Sequence, residues 1–198
     1  MTVVASFLTF PCISWWAKIA EADKVIFDTA EHFQKMTGRN RYDISGANNS
    51  IKLSIPLVNG RNQHIPMKDV LIFNDADWQT QHWRTLVSVY KRTPYFDHYE
   101  NSLEQLFDTP FTHLIDFNRA AIHWVKAQLK INFKEEERDV YVKEYMDGEA
   151  DLRTFKNGNI ACPKYYQVFE DRIGFLPDLS ILDLLFSEGP RAVDLLRS

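Results

Sequence analysis

The chain has little glycine, two cysteines and no long apolar run, and each shortage closes off a class of protein. Seven glycines in 198 residues leave no G-x-G-x-x-G, P-loop or G-x-S-x-G string. A phosphate cradle of bare backbone and a nucleophile elbow are therefore absent as motifs. Cys12 and Cys162 can bond to one another, but two thiols do not make a secreted disulfide scaffold. The apolar start, Met1 to Phe10, lacks a basic flank and a small-residue cleavage pattern, and Pro11 stops it well short of the ~20 residues a membrane span needs. Positive charge is not in excess either: 23 Lys and Arg stand against 27 Asp and Glu, a net of -4. Such a chain releases too few phosphate counterions to be a general nucleic-acid binder. The expectation is a cytoplasmic protein with no membrane span and no nucleic-acid partner, with room for a local basic patch around one small anion.

What is present is ordinary for a packed globule. Apolar residues make up 45% and charged residues 25% of the chain, which excludes disorder, and its 198 residues suit one domain, 1–198. Aromatic residues reach 14%, enough to imply a bulky core, an aromatic-lined pocket, or both. Residues 3–10 and Val25-Ile26-Phe27 are nearly continuous apolar runs, the pattern of strands covered on both faces. Between them Ile13, Trp16, Ala17 and Ala20 mark one face of a helix, so the start reads as a right-handed βαβ unit. From Tyr42 to Ile55 apolar and polar residues alternate about Gly46-Ala47-Asn48-Asn49, which predicts a β-hairpin. Residues 69–73 read as a third buried strand. The resulting fold class is α/β: a small, mainly parallel sheet from 3–10, 24–28 and 69–73, with the hairpin 41–55 at its edge, covered by C-terminal helices. Those helices are expected from Asp77 onward, after Thr93-Pro94, over 111–130, and in the run LSILDLLF capped by Asp178 or Ser180. Residues 132–160 read as a polar, solvated excursion with a short strand at Val140 to Val142.

Few residue groups promise chemistry. Asp75-Ala76-Asp77 could hold a divalent metal beyond a strand end, but reads more simply as the cap of the following helix. His113, Asp116 and His123 fall on one helical stripe, where an exposed flank is a plainer account than zinc. Cys12, at a strand-to-helix turn, reads as a packed thiol. Arg39-Asn40-Arg41, with Lys35 upstream, forms the densest cationic stretch and follows the strand ending at Asp28. It can grip a carboxylate or phosphate, or simply be a solvated loop face. Asn118 and Asp183 lie where periodicity expects oil, so each should be buried and hydrogen-bonded.

Several strings resemble the WbqC-like family: Phe33 to Lys35 leading into Arg39-Asn40-Arg41, His82-Trp83-Arg84, Pro94-Tyr95-Phe96, Asp116-Phe117-Asn118, and above all Tyr165 to Val193. Two departures accompany the likeness: Ala30 stands where the family tends to place His or Gln, and 132–160 is short and polar. The resemblance implies an acyl or aminoacyl (glycyl) transferase acting on a nucleotide-linked amino sugar in O-antigen or surface-polysaccharide biosynthesis. The cofactor stays unknown, no metal is assigned, and the partner is a small-molecule substrate. On this reading His82 is the base, with Asp28 beside it as a second catalytic residue. Lys35, Arg39, Asn40, Arg41, Trp83, Tyr95 and Asn118 bind substrate, and Asp28, Lys35, Arg39, Arg41 and His82 share one cleft. Two alternatives stay open: a non-catalytic partner-binding protein of envelope assembly, and a nucleotide-binding α/β domain.

Overall fold

A computed structural model describes residues 1–60, 62–143, 149–155 and 162–197. In chain order the elements are β1 (Thr2–Ala5), α1 (Ile13–Ala20), β2 (Lys24–Asp28), the hairpin β3 (Arg41–Ile44) and β4 (Ile51–Ser54), and the helices α2 (Trp78–Tyr90), α3 (Phe96–Asp108) and α4 (Leu114–Leu129). They are followed by β5 (Lys134–Arg138), β6 (Glu149–Asp151), and α5 (Glu170–Ile173), α6 (Ile181–Glu188) and α7 (Ala192–Leu196). The main sheet has the order β5-β2-β1-β6, and every neighbouring pair is parallel. The βαβ unit is as read, and Val3, Val4, Val25, Ile26 and Phe27 are almost wholly buried, as strands covered on both faces require.

The first strand is shorter than its apolar run. It ends at Ala5, and the backbone then bends, with Phe10 at φ 39° and Pro11 unable to donate to a ladder. Residues 69–73 form no strand of the sheet. Met67–Asp69 is a 3-10 turn, and Leu71 and Ile72 make only isolated bridges to His113 and Leu57. Val70 and Ile72 are buried in the core, whereas Leu71 and Phe73 stand 37% and 43% exposed, so the run is covered on one face only. The hairpin forms its own two-stranded sheet and does not extend the parallel one, whose edges are taken by β5 and β6.

Both edge strands come from the segment read as a solvated excursion. Lys134–Arg138 pairs with Lys24–Asp28 in register, and 140–142 is not the strand. Its run of glutamates hides an alternation of charge partners. Glu135 and Glu137 point to one face and meet His123, Lys126 and Arg119 of α4, whereas Glu136 on the other face meets Lys24 at 2.7 Å. Those α4 residues fall at helical spacing on one stripe, so the helix brings a cation to each outward carboxylate. A charged edge also resists pairing with a second sheet.

Polar side chains inside the core tie loops to helices. Asn118, fully buried on α4, accepts from the Thr9 hydroxyl at 2.7 Å and donates to the carbonyls of Phe7 and Arg39. Asp183 on α6 accepts the phenolic hydrogens of Tyr90 and Tyr165, and Tyr90 in turn accepts from the Ser45 amide. Tyr95 packs its ring on Gly189, where any side chain would collide with the ring and φ is +55°. Asn118→Leu should lower unfolding stability by about 1–3 kcal/mol, because it strands the buried Phe7 carbonyl and leaves the Thr9 hydroxyl and the Arg39 carbonyl only each other. A fall in the urea midpoint at unchanged slope checks this.

Candidate functional site

All strands of the main sheet point the same way, so their carboxyl ends gather along one edge. From β1 the chain first builds outward to β2 and β5, then crosses to place β6 on the other side of β1. The direction of winding therefore reverses between β1 and β6, the place where open α/β sheets leave a crevice. A cleft of about 420 Å³ lies there. Leu8, Phe10 and Cys12 line it from the segment after β1, and Leu152, Arg153 and Phe155 from the segment after β6. Met36, Arg41 and Tyr42 close a third side, and Asp178 and Ser180 a fourth. The lining thus mixes apolar and aromatic side chains with six charged ones, Arg39, Arg41, Asp43, Lys52, Arg153 and Asp178.

Two buried arginines make its floor. Arg39, 1% exposed, grips Glu31 with Nε and Nη2 at 3.0 and 2.6 Å, and donates to the Ser6 hydroxyl and the Arg153 carbonyl. Arg153 donates to Asp28 at 2.8 Å, to both oxygens of Asp151, and to the carbonyls of Val142 and Lys143. Asp28 also accepts from the amides of Ala30 and Glu31 and so fixes the turn after β2. These acids and bases neutralise one another inside the fold.

The predicted site residues scatter around this floor. Arg39 and Arg41 line the cleft, whereas Asp28 lies behind Arg153. Lys35 sits in a separate shallow depression with His32 and His64, and its ammonium donates to Asn62 at 3.3 Å. Asn40 is buried and donates to the Ile55 carbonyl. Trp83 bonds Glu104 and stacks on Phe96, Tyr95 rests on Gly189, and Asn118 is held as described above.

His82 is 4% exposed, enclosed by Tyr42, Trp78 and Phe107. Since Nε2 faces the Ser54 carbonyl at 3.3 Å it is the donor, and Nδ1 accepts from the Tyr42 hydroxyl at 3.1 Å. Tyr42 therefore stands between His82 and the cleft. Burial lowers the His82 pKa to about 4, and no neighbouring cation is needed for that. Cys12 at the head of α1 is pushed up to about 12 by burial and by the Asp178 carboxylate, so it is a packed thiol. Asp77 occupies the start of α2 without a side-chain cap bond. Among the described residues no three His, Cys, Asp or Glu side chains converge on a metal position.

Sequence reasoning missed Glu31, Met36, Arg153 and Asp178. Of these only Asp178 carried a signal, as a possible cap of α6. Ser180 takes that role, its hydroxyl accepting from the Leu182 amide at 3.3 Å. Asp178, with φ +58°, instead reaches back to α1 and accepts from the Ser14 amide and hydroxyl at 2.8 and 2.7 Å.

The chain belongs to the WbqC-like protein family, whose sequence profile matches residues 8–151. That stretch includes the cationic string and the helices α2 to α4 and stops before the Tyr165–Val193 string. The chain is also similar to an uncharacterized protein of Mycobacterium tuberculosis, Rv1507c, with 27% identity over 94% of this chain and 93% of the relative. No solved structure matches it. No described helix is long and apolar enough to cross a membrane.

The His82 geometry predicts a pH dependence. An unfolded chain protonates this imidazole near its ordinary 6.5, the native protein only near 4. Its contribution is therefore whole above 6.5 and lost as pH falls toward 4, up to about 3 kcal/mol. Denaturant melts of wild type and His82→Gln across that range should diverge, with the mutant showing the flatter profile.

Proposed function

We propose that the protein transfers an acyl or aminoacyl group to a nucleotide-linked amino sugar, in the cleft between β1 and β6. The observation that carries this reading is the position and lining of that cleft: a crevice at the reversal point of a parallel sheet, with aromatic walls and a guanidinium at its rim. The resemblance to proteins of surface-polysaccharide assembly supplies the substrate class.

The chemistry needs a base while the sugar amine attacks the donor carbonyl. As the C–N bond forms, the amine loses a proton and the donor's thiol or alcohol leaves with one, so the balance is kept. Of the acids lining the cleft, Asp178 is committed to Ser14, whereas Asp43 keeps a partly exposed carboxylate beside Lys52 at 3.4 Å. This reading gives Asp43 the base's role. It makes His82 a positioning residue that fixes the Tyr42 hydroxyl, and Asp28 the group that anchors Arg153.

One observation favours the partner-binding alternative. Val58, Leu71 and Phe73 are 50%, 37% and 43% exposed on the adjoining segments 56–58 and 71–73, an apolar patch outside the cleft.

Purified protein incubated with nucleotide-linked amino sugars and acyl or aminoacyl thioesters should yield a heavier nucleotide sugar by mass spectrometry. Asp43→Asn should slow its formation about a hundredfold or more. If no such substrate is modified and none raises the melting temperature, the transferase reading is wrong.

A further inference from the structure

The basic side chains lining the cleft differ in how their hydrogen-bond donors are used. Arg39 is locked on Glu31, Arg153 on Asp28 and Asp151, and Lys52 lies 3.4 Å from Asp43. Arg41 is the exception. Its Nε is buried and has no hydrogen-bond partner among the described residues, and its Nη1 donates only to the thioether of Met36, at 3.3 Å. A thioether is a weak acceptor for a guanidinium. A buried donor left without a partner in a native fold calls for an explanation, and a ligand contact is one. Met36 is itself unusual. It is 65% exposed, lines the cleft, and holds φ at +63°, a conformation that costs a non-glycine residue energy. It stands in the turn at 35–36, and its sulfur rests on Arg41 Nη1.

We propose that Arg41 is the oxyanion-binding residue of this cleft, taking a phosphoryl or carboxylate oxygen pair side-on through Nε and Nη. Met36 rests its sulfur on Nη1, away from that edge, and leaves the Nε and Nη2 fork to the ligand. The side-on edge of a guanidinium, Nε with Nη2, presents two parallel N–H groups that match two oxygens of one anionic group, and a pair of this kind is charge-assisted. The rest of the ligand lies against Leu8, Phe10 and Phe155. The inference rests on reading this cleft as the ligand site, and it names the group that is recognised there.

The test uses the full chain labelled with nitrogen-15, watching the arginine Nε–Hε resonances while inorganic pyrophosphate, uridine diphosphate or acetate is added. Buried Nε–H groups exchange slowly enough to be seen. The Arg39 and Arg153 signals, already bonded to carboxylates, serve as internal references. The resonance that disappears in Arg41→Lys should move on titration, and the arm that saturates first separates a phosphoryl from a carboxylate ligand. Arg41→Lys keeps the charge but loses the fork, and should weaken pyrophosphate binding about tenfold or more. Dispersed main-chain spectra show that the variant is folded. The proposal is overturned if cleft amides from Leu8 to Cys12 shift while the Arg41 signal does not, if Arg41→Lys binds as well as wild type, or if no anion binds. A protein that binds pyrophosphate through Arg41 yet neither binds nor modifies a nucleotide-linked amino sugar keeps this proposal and loses the transferase reading.

Discussion

Arg39 sits in the interior with its charge met by Glu31, its remaining donors divided among Ser6, Thr37 and the backbone of Arg153. Three strand ends meet at that one guanidinium: Ser6 follows β1, Glu31 follows β2, and Arg153 follows β6. Arg153 then continues the chain of contacts to Asp28 and Asp151. Burying two guanidiniums and two carboxylates, with Asp151 nearer the surface, carries a heavy desolvation cost, and hydrophobic replacements of equal volume would often be as stable. What the pairing gives is geometry. Loss of either partner leaves a naked charge in the core, so the loops beyond the sheet are held in one arrangement, and the cleft above them inherits its shape.

The parts of this fold that could be read from the sequence are those in which hydrophobicity alone decides. Val3 to Ala5 and Val25 to Phe27 are covered on both faces and announce it by composition. Asn118 and Asp183 stood out because a polar residue in an oily stripe needs partners, and both have them. Strand β5 was illegible for the opposite reason: its neighbours Arg119, His123 and Lys126 answer its charges from a helix, and no periodicity within Lys134 to Arg138 reveals that. The 69–73 run misled because a continuous apolar string can also be buried on one face only, with Val70 and Ile72 inward and Leu71 and Phe73 outward.

The candidate site was legible in outline only. The string Arg39-Asn40-Arg41 drew attention through its charge, yet adjacent arginines have opposite fates. One turns inward to an acid in the preceding loop, and the other faces the cleft. That division is set by where Glu31 comes to rest after β2, a tertiary fact without a local signature. Helical phase sets His82 on the inner side of α2 with Leu86 and Tyr90, and it is buried there. What phase cannot show is that Tyr42, arriving from the hairpin, lies in front of it.

Asp178 gives the cleft a direction. In doubly wound folds the amino end of the first helix is where an anionic cofactor's phosphate docks, drawn by exposed amides and the helix dipole. Here a carboxylate from the chain's own C-terminal segment already sits on the Ser14 amide. The molecule has supplied an internal counter-ion at that pole, and a phosphate brought to the same place would meet repulsion. The crevice is thereby negative beside α1 and positive beside β3. Like an electric double layer folded into a pocket, it sorts an entering molecule by the orientation of its own dipole.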